Sequence, residues 1–368
     1  MKIKELLKKD IPLAFPSGRD ADVVLRSSAG FYRNLAGFPF PSLSSRADRA
    51  VLRKMLVKGL SCVAAFRDAG EYSLSGAGAA EMRFAGELGL AMPFSPSSLE
   101  EASLLVPPDT GVIAGVNMDE TLFFRVTREG FSVSPTLDEA SNLDDGIGQA
   151  VDYAWDEELG FLCARPARAG TGLEASCLLH LAGLVKAGRI STAVKTLVNM
   201  KVRAQPVFGE DPELSGGFFL ISNSVTMGIS EAESAQCLEA GVRLLCAAER
   251  EARLWISGGE RHPRFADEVW RSLGALEHAR MMSFQEAAGH ISNVRLGICL
   301  NMGLPARMGL LCSLLRDVQD GRMALSCGEL PVAERDVFRA SYIRARFTEA
   351  RHADKKILNN GSEEKRNG

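Results

Sequence analysis

The chain has 368 residues, 46% of them hydrophobic and 24% charged, with eight cysteines and a formal net charge of −3. That length buries a sizeable core and points to two domains, and the dispersed charge of both signs excludes a global basic field for nucleic acid. Apolar runs fall far short of a membrane span, and the start Met1-Lys2-Ile3-Lys4-Glu5 lacks the apolar stretch of a signal peptide, so the expected location is cytoplasmic.

Residues 1–110 read as a first lobe of helices and loops. A helix is expected over 46–66, from apolar Val51, Met55, Leu56 and Leu60 at helical spacing. Gly76-Ala77-Gly78 lacks a third glycine at dinucleotide-fingerprint spacing, so it reads as a flexible connection, as does the Pro/Ser-rich stretch 93–98. Between 111 and 254 strands are expected at 111–116, 121–126, 160–164, 202–207 and 217–223, with helices at 146–155, 173–185 and 190–200. Strands separated by helices indicate a mixed sheet lobe. Beyond residue 228 helical periodicity takes over, at 231–254, 264–281, 283–300, 305–319 and 332–348, with Ser230 and Glu233 as a capping box. Arg243, Glu249, Arg250, Glu251 and Arg253 read as a charged outer helix face. Residues 255–350 thus form a helical C-terminal domain, and the polar stretch 351–368 reads as a disordered tail.

The cysteines lie singly, without Cys-x-x-Cys or Cys/His spacing, and read as reduced core thiols with no metal site. The five histidines are scattered, and His180 reads as a packing residue of a helix. The most informative stretch is 160–176. It reads as a strand entering the turn Gly170-Thr171-Gly172 and then a helix, a backbone arrangement suited to an anion. Glu174 at the start of that helix suits the helix dipole but repels a phosphate.

That block resembles the ATP:guanido phosphotransferases, and within them the McsB-type protein-arginine kinases. Four further blocks carry the likeness. They are Val23-Val24-Leu25 through Arg33-Asn34-Leu35, Val116-Asn117-Met118-Asp119-Glu120-Thr121-Leu122, Gly217-Phe218-Phe219-Leu220-Ile221-Ser222-Asn223 and Glu334-Arg335-Asp336-Val337-Phe338-Arg339-Ala340. The resemblance implies an α+β fold, with a mixed, largely antiparallel sheet flanked by helices and a helical C-terminal domain. Phosphoryl transfer from ATP to a guanidinium needs several cations around the phosphates besides magnesium. Where the family has those arginines this chain has Ser28, Gly30, Phe123 and Glu174, and one position near Ala91-Met92 is also without a cation. Arg203 alone matches, with Arg125 on the same strand face as Phe123. By the same resemblance Asp119 and Glu210 stand for the carboxylates that hold and deprotonate the guanidinium. Met118 replaces a glutamate of the magnesium shell, and Arg165 takes the reactive-cysteine position, two residues after Cys163. Arg335 and Asp336 match a pair implied to form a phosphoarginine pocket.

The preferred reading is therefore a catalytically impaired member that binds phosphoarginine-bearing proteins or a protein-degradation adaptor and forms a homodimer, with no cofactor assigned. The alternative is an active protein-arginine kinase using ATP and Mg with substitute cations from Arg26, Arg33, Arg125, Arg165 or Arg168.

Overall fold

The computed structural model describes residues 1–9, 11–89, 99–108, 111–213 and 215–364, with the side chains of 353–364 left aside. Its centre is an eight-stranded sheet in the order β2-β3-β4-β5-β1-β8-β10-β9, and the paired strands run antiparallel throughout. The strands are β1 (Val24–Arg33), β2 (Gly70–Ser73), β3 (Ser103–Val106), β4 (Val112–Val116), β5 (Leu122–Glu129), β8 (Leu173–His180), β9 (Val202–Pro206) and β10 (Phe218–Asn223), while β6 (Trp155–Asp156) and β7 (Gly160–Phe161) form a separate small hairpin. The expected α+β class is what is found. The sheet takes strands from both sides of residue 110, so the first lobe is not made of helices and loops alone.

Strand β1 organises the sheet. All ten of its residues are buried, and side chains alternate between faces. Ala29 and Phe31 join the main core with Leu56, Leu60, Phe124, Ala175 and Cys177. This apolar face is covered by α3 (Val133–Gly148) and α6 (Glu231–Ser257). The opposite face carries Arg26, Ser28, Gly30 and Tyr32, and there polar groups outnumber apolar ones.

Three local readings change. Residues 173–180, expected to be helical, are the central strand β8, and only the short α4 (Ala182–Lys186) follows. Strand β8 is buried along nearly its whole length, and its sequence Leu-Glu-Ala-Ser-Cys-Leu-Leu-His alternates only over 173–177 before two adjacent leucines, which leaves a helical reading open. The helix expected at 146–155 lies earlier, as α3. The strand expected over 160–164 is only the two-residue β7. Helix α1 (Arg46–Cys62), α5 (Ile190–Val198), and strands β4, β5, β9 and β10 fall where the sequence places them.

The C-terminal unit consists of α7 (His262–His278), α8 (Phe284–Cys299), α9 (Met308–Asp317), α10 (Asp320–Cys327) and α11 (Val332–Glu364). Its core of Leu273, Ile291, Leu311, Leu315 and Ile343 continues into Leu25, Leu178 and Phe218 of the sheet. Ser230 caps α6 as expected, accepting from the Glu233 amide at 3.2 Å while Glu233 returns to the Ser230 amide at 3.1 Å. Glu249 and Arg253 do not belong to a charged outer face: both are buried, and Glu249 accepts the Gly183 and Leu184 amides at 2.8 Å each and Arg253 Nε at 2.7 Å. His180 lies in β8, stacked on Phe218 and hydrogen-bonded to Ser292 at 2.7 Å. The expected disordered tail begins inside α11, and its last residues, 365–368, lie outside the described residues, as does the stretch 93–98.

Candidate active site

The polar sheet face can be read row by row from the register. Gly30 on β1 stands between Arg125 on β5 and Glu174 on β8. Two residues along, Ser28 stands between Thr127 and Ser176, and the row continues through Ser222 to Arg203 on the edge strand β9. Paired residues in such a ladder project to the same side. Arg125 and Arg203 therefore share a face, but they are four strands apart, or roughly 19 Å at ~4.8 Å per strand.

Arg125 is buried and donates to the carbonyls of Gly89 at 2.6 Å and Leu88 at 2.5 Å, which leaves its Nε without a partner. Arg26, also buried, has an unpartnered Nε. Burial first, and the Arg125 charge second, push the Arg26 guanidinium down to about 9, against the opposing pull of Glu174. Glu174 also accepts the Tyr32 hydroxyl. Burial and the Glu174 charge raise that phenol well above its ordinary value. Glu174 is thus not at a helix N-terminus. It is a mid-strand anion facing two buried arginines.

At position 30 the backbones are closely apposed. A Cβ on Gly30 would come within 2.0 Å of the Phe124 carbonyl oxygen, so no side chain enters there unless the β1–β5 ladder opens.

Asp119 and Glu120 sit in the β4–β5 turn, where Asn117 has a left-handed backbone with φ of 53°. Arg165 and Arg168 flank the 3-10 turn Pro166–Arg168. Asp119 Oδ2 lies 2.5 Å from Arg165 Nη2 and 3.1 Å from Arg168 Nη1. The Arg168 guanidinium lies 3.8 Å over the Tyr32 ring and reaches Glu120 Oε1 at 3.4 Å. Glu120, fully buried, also accepts Asn34 Nδ2 at 2.8 Å and the amides of Ala164 at 2.7 Å and Arg165 at 3.2 Å. Asp119, expected as a solvated or substrate-facing acid, is therefore clamped by two arginines of its own chain. Arg33 is likewise structural: its Nε lies 3.1 Å from both oxygens of Asp144, and its Nη1 donates to Tyr32 and Thr171 carbonyls.

The Gly170-Thr171-Gly172 turn is not an anion cradle. Its strand leads on into β8, with no helix N-terminus. The Gly170 amide donates to Phe161 and the Thr171 amide to Thr226, while the following Leu173 amide donates to Thr171 Oγ1. Cys163 is buried with its thiol 3.4 Å from the Arg168 carbonyl, and burial pushes that thiol up to about 12. Arg203 donates to Ser222 Oγ at 2.9 Å, and Glu210 lies in the exposed loop after β9. Neither has a described contact with Asp119.

Arg335 and Asp336 open α11 and line a separate cavity of about 410 Å³ with Glu87, Phe208, Phe284, Gln319 and Asp320. Arg335 Nε is 3.2 Å from Asp320, while Arg339, fully buried, pairs with Asp320 and Asp336. Phe208 and Phe284 meet edge to face at 5.2 Å in its wall.

Residues 88–252 match the ATP:guanido phosphotransferase C-terminal catalytic domain, and residues 262–358 match the protein-arginine kinase McsB C-terminal domain. The protein-arginine kinase of Moorella thermoacetica is 32% identical over 334 residues, covering 89% of this chain and 95% of that one. The chain belongs to the protein-arginine kinase family. A second such kinase, from Symbiobacterium thermophilum, is 32% identical over 336 residues, covering 90% and 95% of the two chains. Among solved structures, a lombricine kinase aligns with a TM-score of 0.55 at 19% identity, covering 67% of this chain and 75% of that one, and bears out the guanidino-kinase fold. A duplicated taurocyamine kinase from Schistosoma mansoni aligns with a TM-score of 0.57 at 14% identity, covering 77% of this chain and 43% of that one. No helix among the described residues is long and apolar enough to cross a membrane.

Sequence reading passed over two residues of this site, Glu120 and Tyr32, and one pairing. Glu120 was hidden because its neighbour Asp119 takes the substrate-carboxylate position of the resemblance, and nothing in the sequence marks Glu120 as the buried one. Tyr32 and the pairing of Arg168 with Asp119, 49 residues apart, carry no sequence spacing that would reveal them.

Proposed function

We propose that this protein-arginine kinase family member works by binding phosphoarginine-bearing proteins, as a regulatory component of protein quality control, with phosphoryl transfer impaired. The observation that carries this reading is that the groups a guanido kinase needs free are engaged internally. Asp119 holds Arg165 and Arg168, Arg125 holds two carbonyls, and Glu120 has four donors. These residues do not fit a magnesium–triphosphate, since no carboxylate among them is open to the metal and Glu174 adds a negative charge where the family has an arginine. At about 4 Å a like charge costs roughly 4 kcal/mol at an effective dielectric of 20.

The Arg335–Asp336 cavity supports the reading by residue type, a guanidinium for phosphate beside a carboxylate for the guanidinium end, and a ligand there has to replace the contacts Arg335 makes with Asp320 and Asp336 with Arg339. A protein-degradation adaptor and a second copy of the chain are the partners this reading admits. Titration with ATP and magnesium by calorimetry, a radiolabelled arginine-phosphorylation assay, and a phosphoarginine-peptide titration of the wild type and Arg335→Ala test it together. The expected result is no ATP heat, no phosphoarginine product, and peptide affinity that Arg335→Ala lowers about tenfold or more. Micromolar ATP affinity with product formation would instead support the active-kinase reading. The observation in that reading's favour is that Arg26 and Arg125 lie on the polar face two residues along their strands from positions 28 and 123.

A further inference from the structure

A cavity of about 930 Å³ opens where α4, the loop 212–217, the end of α6, α7 and α8 meet. It shares no lining residue with the Arg335–Asp336 cavity or with the Asp119 cluster. Its shape follows from a break in the chain. Helix α6 stops at Ser257, and Gly258-Gly259, with Gly259 at φ of 56°, turns the chain into α7, which has Pro263 in its first turn. Trp255, in the last turn of α6, is thereby brought against Arg261, whose guanidinium lies 3.9 Å over the indole ring.

Trp255 is 39% exposed, and an indole face open on a cavity wall attracts a cation. Two guanidinium groups already lie on it. Arg189 is 5.3 Å from the ring and is held by Glu251 at 3.0 Å. Arg261 has no carboxylate or other side-chain partner among the described residues, so the ring alone holds it. Such an exposed contact is at the weak end of cation–π interactions. Carboxylates stand on the same wall without cations. Lys186 and Glu268 pair with each other, whereas Glu213, Glu260 and Arg264 form no ion pair among the described residues. Residue 214, beside Glu213, lies outside the described residues and is a leucine, without charge. The wall thus carries three carboxylates and three cations, so a bare ion of either sign gains no net attraction. It offers instead a flat aromatic face together with two unpaired carboxylates and one unpaired guanidinium.

We propose that this cavity binds an external guanidinium group, that of free arginine or of an arginine side chain on a partner protein, with Trp255 as the stacking face and Glu213 and Glu260 as acceptors. A planar guanidinium stacks on an indole and donates to carboxylates through its fork, two demands that these residues meet together. Arg261 acts as a placeholder: the incoming group displaces it from the ring and loses only a weak, exposed contact in doing so. Arg264 is then available to the carboxylate end of free arginine. The volume admits the whole amino acid or a short stretch of chain around an arginine. Occupancy requires neither ATP nor the Arg335–Asp336 cavity.

NMR titration of the full chain, read on the indole N–H of Trp255 and assigned by its loss in Trp255→Phe, tests the site and separates it from the β4–β5 turn. L-arginine is the ligand in one arm and N-acetyl-arginine amide in the other, with neutral, isosteric L-citrulline as control. A saturable shift is expected with arginine and none with citrulline. The exposed double substitution Glu213→Gln, Glu260→Gln should weaken binding roughly five- to tenfold, and Arg261→Ala, which removes the competitor, should tighten it about threefold. Tighter binding of L-arginine assigns the free amino acid, and equal or tighter binding of the blocked compound assigns an arginine side chain. No saturable shift in either arm overturns the proposal. So does citrulline binding as well as arginine, binding that the double substitution leaves unchanged, or binding that Arg261→Ala weakens.

Discussion

The internal clamp on Asp119 sets how well an external guanidinium can compete for it. Arg165 is 40% exposed on its side chain, so its 2.5 Å contact is screened by solvent and contributes about 0.5–1 kcal/mol. Arg168 is 15% exposed, 3.1 Å from Asp119, and stacked 3.8 Å over Tyr32, which together supply about 2 kcal/mol. An incoming guanidinium that displaces both loses about 3 kcal/mol, or roughly 150-fold in affinity. Arg165→Ala should therefore tighten binding of L-arginine amide by roughly two- to fivefold at little cost in stability. Arg168→Met should tighten it by about 30-fold, with a loss of about 2 kcal/mol in folding stability. NMR titration with L-arginine amide, following the β4–β5 turn amides, measures each, and Asp119→Asn serves as the control that abolishes binding. If wild type binds arginine amide as tightly as the two variants, or if Asp119→Asn changes nothing, the clamp does not govern the site.

Glu174→Gln removes the anion that faces buried Arg26 and Arg125. Since Glu174 is half-buried, the expected loss is about 2 kcal/mol, below the full value for a buried pair, and urea denaturation showing no loss would contradict the assigned balance of charge. Glu87 caps the α10 N-terminus through the Gly321 and Arg322 amides, yet burial raises its carboxyl from 4.5 to about 7. Between those values the folded state holds a proton that the unfolded chain has released, so stability falls as pH rises through that window, by about 1–3 kcal/mol in all. Urea midpoints at pH 4.5 and 7.5 should differ in wild type and converge in Glu87→Gln; a stability that rises over this range would reverse the assignment. Iodoacetamide at neutral pH should label exposed Cys62 well before Cys163, whose thiol burial pushes up to about 12, and peptide mapping that finds Cys163 modified first would disprove this.

The amphipathic helices of the C-terminal unit were legible because one face of each meets the core, and a period of 3.6 survives in the sequence. Strands β5 and β10 were legible for a comparable reason, being rich in Phe, Val and Ile. The central strands were not. Strand β8 presents Ala175 and Cys177 to the main core and Leu178 to the C-terminal core, so the alternation it begins with Glu174 and Ser176 on the polar face breaks off at the adjacent leucines 178 and 179 and is too short to stand out. Strand β1 suffers from the opposite problem, since Arg26, Ser27, Ser28 and Gly30 are poor strand formers and only their neighbours in space, Thr127, Ser176 and Glu174, make them a strand. The site shows the same limit. The missing arginines could be counted along the chain, but the arginines that do occur were misplaced by sequence proximity: Arg165 and Arg168 appear beside Glu174 in the chain, yet they ion-pair with Asp119.

The alternation that hides β1 also explains how a kinase fold can keep its architecture while the polar face changes. Ala29 and Phe31 point into the main core, where they pack with Phe124 and Ala175, and these contacts hold the sheet from its apolar side. The apolar face thus supplies packing that does not depend on the polar face. The polar face, by contrast, constrains itself. With glycine at 30, the Phe124 carbonyl lies 2.0 Å from where a Cβ would sit, and Glu174 is the counter-charge for Arg26 and Arg125. An arginine returned to position 30 must push β5 away from β1. One returned to position 174 would leave three guanidinium groups facing one another on a buried surface. The charges of Glu174, Arg26 and Arg125 depend on one another, which makes this face a self-consistent arrangement that a single substitution disturbs.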